Sequence, residues 1–121
     1  MPRRPFGGQL QRAAIACALL AHPRVLICDE ITTAMDKSLA EYVLDYLDAY
    51  RRESAAAVVS ISHDLNSQLQ RTDHLAVVDG GEIIEFGATE QLRRNPHTAL
   101  LQRLLAAGGS AAVARHAASP P

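Results

Sequence analysis

Three side chains in this sequence could do chemistry together. Asp29 and Glu30 close the apolar run Val25-Leu26-Ile27-Cys28, and His63 follows a second apolar run, Ala57-Val58-Val59-Ser60-Ile61. Four apolar residues in succession predict a short strand buried on both faces, because a half-exposed strand would alternate. At the C-terminal edge of a parallel sheet, ligands collect beyond the strand ends, so the two acids would face a site rather than a core. Side chains alternate along a strand, so neighbouring acids point in different directions and can do separate work. One can hold a hard cation such as Mg²⁺, directly or through water, while the other orients and deprotonates an attacking water. Adjacent acids after a strand also arise simply because turns are polar, so the other stretches must decide.

The elements that position these groups are legible in order. Thr32-Thr33-Ala34-Met35-Asp36 reads as a loop with Asp36 as a helix cap. From Lys37 to Arg52, Leu39, Val43, Leu44, Leu47 and Tyr50 recur near helical spacing, which predicts an amphipathic helix packed on a sheet. Strand, helix and strand then imply a right-handed crossover with parallel pairing, which brings Glu30 and His63 to one edge of one sheet.

Upstream, Gly7-Gly8-Gln9 precedes the run Ala13 to Ala21, and Pro23 bars its continuation. A helix apolar all round belongs inside a protein, so a buried helix is expected just after the glycine pair. The glycines and the free amides of its first turn could approach an anion. Downstream, Asp64 opens a short helix, and Gly80-Gly81 between two apolar runs, 74–79 and 82–87, predicts a β-hairpin. Thr89 is expected to cap another short helix, and Thr98 to Leu105 forms a last one. Gly108 to Pro121 has few anchors and is expected to be a disordered tail, leaving 1–107 as the single domain.

Composition narrows the function classes. With 121 residues, 48% hydrophobic, 21% charged and a net charge of −1, the chain has the balance of a globular protein, with no basic excess for nucleic acid or an anionic membrane surface. Cys17 and Cys28 both lie in apolar runs and read as buried thiols of a reducing compartment. No signal peptide is legible after Met1, and the longest apolar run, Ala13 to Ala21, is far short of the roughly 18 to 20 residues of a membrane span.

In this order the pieces resemble the C-terminal portion of an ATP-binding cassette (ABC) ATPase, a P-loop NTPase fold. Pro5-Phe6-Gly7-Gly8-Gln9-Leu10-Gln11-Arg12 resembles the family's signature motif, and Val25 to Glu30 its Walker B strand with the catalytic glutamate. Thr33-Ala34-Met35-Asp36 resembles the D-loop, and Ile61-Ser62-His63-Asp64-Leu65 the switch histidine. The closing segment 87–92, with 95–101 and 28–36, is similar to peptide/nickel importer ATPases.

The resemblance implies an α/β domain of parallel strands, flanking helices and a C-terminal hairpin, with ATP and Mg²⁺ as ligands. Asp29 would hold Mg²⁺ through water, Glu30 would polarise the attacking water, and His63 would contact the γ-phosphate. Gly7, Gly8 and Gln9 would meet the nucleotide of a second ATPase subunit, and Asp36 would couple the two sites. The implied partners are that second subunit and the permease, through which a cytoplasmic protein would sit at the membrane. Departures are also clear: Phe6 stands where the family has serine, Pro5 where it usually has leucine, Ile31 where it has proline and Met35 where it has leucine. No G-x-x-x-x-G-K-[ST] loop occurs anywhere, and the glutamine loop that lies upstream of the signature is missing too. The absent loop leaves open a non-catalytic partner of an intact ATPase, or a decayed remnant, beside the truncated importer ATPase.

Overall fold

The computed structural model describes residues 7–107 and 110–117. Five helices, α1 (Gly7–Leu20), α2 (Lys37–Ser54), α3 (Leu65–Arg71), α4 (Thr89–Arg94) and α5 (Ala99–Ala106), alternate with β1 (Val25–Asp29), β2 (Ala57–Asp64), β3 (His74–Asp79), β4 (Glu82–Ala88) and β5 (Ser110–Ala117). The strands form one sheet in the order β1-β2-β5-β3-β4. β1 and β2 pair in parallel, Cys28 opposite Ser60 and Asp29 opposite Ile61, as a strand–helix–strand unit requires. The Gly80-Gly81 hairpin forms as expected, both glycines taking positive φ (58° and 79°) that a two-residue hairpin turn demands.

Alternation decides which side chains become core. Leu26, Cys28 and Val58 point to one face and pack with Val43 and Leu47 of α2, joined by the half-buried Ile15 and Leu19 of α1. On the same face of β3, Leu75 and Val77 are fully buried with Leu65, Leu92, Leu101 and Leu104 from α3, α4 and α5. The registers put Cys28, Ser60 and Leu75 in one row across β1, β2, β5 and β3, so both clusters lie on one side of the sheet. An ion cluster ties α3 to α2: Arg71 Nη1 donates to Asp45 at 2.8 Å and Asp48 at 2.9 Å. Burial works against the charged guanidinium, but these bonds outweigh it and hold its pKa above the ordinary value.

Four expectations need correction. β1 is buried on one face only, since Val25 is 58% and Ile27 68% exposed; no described element covers its other side. α1 begins at the glycines themselves and is not buried, because only Gln11, Ile15 and Leu19 are even half-covered, and Cys17 is exposed with it. Thr89 is the first residue of α4 rather than its cap; its hydroxyl pairs with Thr72 at 3.0 Å instead. Within the expected tail, Ser110–Ala117 forms β5, antiparallel between β2 and β3; its backbone groups fill a slot two parallel strands leave open. Phe6 and the rest of 1–6 lie outside the described residues.

The two thiols are expected to behave oppositely. Burial pushes Cys28 up to about 11, whereas Cys17 is exposed on α1. Iodoacetamide titration of the native protein, read by mass, should add one label at Cys17 and a second only after unfolding; prompt double labelling would contradict the packing of β1.

Candidate active site

The strand ends assemble the acid and the imidazole. Glu30 follows β1 with φ at +50°, a left-handed backbone that costs a non-glycine residue on the order of 1 kcal/mol. Neighbouring groups hold it there. Its N–H donates to the Ile61 carbonyl at 2.8 Å, continuing the ladder onto β2, and its own carbonyl accepts from the Thr33 hydroxyl at 3.0 Å. So turned, the Glu30 carboxylate pairs through Oε1 with Nδ1 of His63. His63 sits where β2 shifts register between Ser62 and Asp64, the Asp64 N–H turning back to the Ser62 hydroxyl at 3.0 Å. Asp29, one residue earlier, is exposed at the end of the uncovered face of β1.

A cleft of about 420 Å³ opens beside the pair. Thr32, Thr33, Met35, Lys37, His63 and Ser67 are among its walls. Two helices begin at this edge. Asp36 caps α2 by accepting from the Leu39 N–H at 2.8 Å, and Asp64 caps α3 from the Ser67 N–H at 3.2 Å. Sequence reasoning singled out Asp29, Glu30, Asp36 and His63, and the structure brings Glu30 and His63 into contact. It missed Thr33, which pins the Glu30 backbone, and Lys37, which brings a cation to the cleft wall; a threonine three residues past a site acid was the available signal. Gly7 and Gly8 open α1, and Gln9 is not among the described residues that line this cleft.

The donor set fits a magnesium ion shared with a substrate. Mg²⁺ takes one or two carboxylates and leaves its other positions to phosphate oxygens and water. Asp29 and Glu30 offer hard oxygens of that kind, and no group of three His, Cys, Asp or Glu side chains forms a closed cage among the described residues. A triphosphate fits less well. The sequence has no glycine-rich loop with its lysine, so this edge offers an acid–imidazole pair and hard oxygens but no cradle for three phosphates.

No family model matches the chain. It is 36% identical over 104 residues to the methionine import ATP-binding protein MetN of Caulobacter vibrioides, covering 86% of this chain and 31% of that protein. The MetN proteins of Pasteurella multocida (36%, 86% of this chain and 30% of the relative) and Chlamydia abortus (41%, 85% and 30%) are similar in the same way. The chain therefore spans about 30% of the length of these curated relatives. Its similarity is to ATP-binding subunits of importers. No helix among the described residues is long and apolar enough to cross a membrane.

Proposed function

We propose that these residues are the water-activating portion of the ATP-binding subunit of an ABC importer. The contact that carries the reading is the Glu30–His63 pair at the adjoining ends of two parallel strands, at the edge where α/β sheets place their ligands. Phosphoryl transfer asks little covalent chemistry of a protein and much positioning, and this edge is built for positioning. Glu30 accepts the proton of a water as its oxygen bonds to the terminal phosphorus and the bond to the leaving ADP oxygen breaks. His63 fixes the carboxylate's rotamer and offers its other ring nitrogen to the terminal phosphate. Asp29 would hold a Mg²⁺ ion, which when bound would neutralise charge on the phosphate oxygens.

Residues 1–107, with β5 (Ser110–Ala117) completing the sheet, form the domain portion in this reading, with the start of α1, at Gly7, Gly8 and Gln9, and Asp36 meeting a second ATPase subunit. The permease holds the assembly at the cytoplasmic side of the membrane. The relatives' names support import; the closing segment 87–101 supports the peptide/nickel type among importers. ATP hydrolysis by the protein isolated with its membrane partners tests the proposal. His63→Ala is expected to lower that turnover by about 10- to 100-fold while leaving the melting temperature nearly unchanged, since the His63 side chain is 64% exposed. Hydrolysis absent from the wild-type assembly would replace this reading with a non-catalytic partner of an intact ATPase.

A further inference from the structure

Resting on the importer-ATPase reading, we propose that Arg71 is a positioning residue of the cleft beside Glu30 and His63: clamped on the acids of α2, it sets how far apart α2 and α3 stand. The cleft and the ion cluster are two ends of one seam. Ser67, a cleft wall, and Arg71 lie four residues apart on α3, so they share a face. On α2, Glu41, Asp45 and Asp48 follow one stripe at helical spacing, and Glu41 both lines the cleft and reaches Arg71 Nη2 at 3.5 Å. The seam therefore opens at the helix N-termini, where the cleft lies, and is closed further along by Arg71.

Apolar packing does not fix the width of this seam. α2 is buried through Val43 and Leu47 against β1 and β2, α3 through Leu65 against β3, α4 and α5, and the two clusters share no residue. Between the helices runs a crevice of about 30 Å³ whose walls include Asp48, Ser60, Gln68 and Arg71. That volume has room for a water among polar partners, and a polar seam can shear without tearing an apolar contact. The guanidinium crosses it: Nη1 donates to Asp45 at 2.8 Å and to Asp48 at 2.9 Å, and the Arg71 side chain is only 17% exposed. Exposed ion pairs contribute little, but short charge-assisted bonds from one shielded, planar donor hold a geometry. The β1–β2 ladder already ties the backbones of Glu30 and His63 together, through the Glu30 N–H to Ile61, so Arg71 acts on the cleft walls instead.

The test reads the distance between spin labels at the exposed Lys37 and Asn66, in the first turns of α2 and α3, by dipolar EPR of the 121-residue chain. Lys37→Cys and Asn66→Cys carry the labels in a Cys17→Ser background, and Cys28 is buried and stays unlabelled. Arg71→Met is expected to lengthen or broaden that distance by about 2 Å or more, and Asp45→Ala with Asp48→Ala to do the same from the other helix. Lysine and methionine have similar length, so Arg71→Lys isolates the charge and should restore part or all of the wild-type value. Wild-type distances in Arg71→Met, or in the paired aspartate variant, overturn the proposal, as do equal shifts in Arg71→Lys and Arg71→Met. Because the distance is read without nucleotide, failure here strikes the clamp alone, whereas hydrolysis absent from the wild-type assembly defeats the ATPase reading and leaves the clamp standing.

Discussion

In Glu30→Gln, ATP turnover by the assembled protein is expected to fall by about 10²- to 10⁴-fold, with little change in KM. Glutamine has the volume of glutamate and still offers an oxygen to Nδ1 of His63, but it cannot take a proton from water. The backbone that aims the side chain is left intact, because the Glu30 N–H to Ile61 and the Thr33 hydroxyl to the Glu30 carbonyl use main-chain groups. A loss in kcat alone identifies a group that acts in the transition state rather than one that binds substrate. Turnover within about twofold of wild type would remove Glu30 from the chemistry.

Glu85→Leu is expected to cost about 3 kcal/mol, on the order of a 10 °C fall in melting temperature. Glu85 is buried, and its carboxylate accepts from the His97 N–H at 2.8 Å, the Thr98 N–H at 2.9 Å and the Thr98 hydroxyl at 2.6 Å. The Thr98 hydroxyl in turn caps α5 at the Leu101 N–H, 3.2 Å away, so one acid organises the turn between α4 and α5. Leucine leaves those part-buried donors without their acceptor. Burial alone would raise the Glu85 pKa, but the Thr98 and His97 bonds and the nearby His97 outweigh it and hold it below the ordinary value. The native state therefore binds this proton less readily than the unfolded chain. Its contribution is present above the ordinary carboxylate range and is lost as pH falls through the lowered native value. Urea unfolding of both proteins at about pH 7 and about pH 3 should show the gap closing in acid. A gap independent of pH would mean the loss is one of packing.

How much of this was legible follows from the range over which each signal acts. The Gly80-Gly81 turn and the Asp36 and Asp64 caps are decided within a few residues, and the strand–helix–strand order made parallel pairing of β1 with β2, and so the meeting of Glu30 with His63, readable from topology. Apolar runs are different. The run Ala13 to Ala21 and the stretch Val25 to Cys28 state a demand for burial, but not whether the partner that satisfies it is among the same residues. Among the described residues none covers most of α1 or one face of β1, and both are exposed there. Thr89 and Glu85 were beyond sequence reasoning for another reason: each is set by a residue twelve to seventeen positions away, Thr72, His97 or Thr98, with no periodic pattern to announce it. The strand β5 came from a segment with too few anchors to predict.

The central claim is that this chain supplies the groups that activate water and not those that hold the triphosphate. Calorimetric titration of the 121-residue protein with ATP and Mg²⁺ tests it directly. The expected result is no measurable binding up to about 1 mM. Micromolar binding by the chain alone would place a phosphate cradle within these residues and contradict the account.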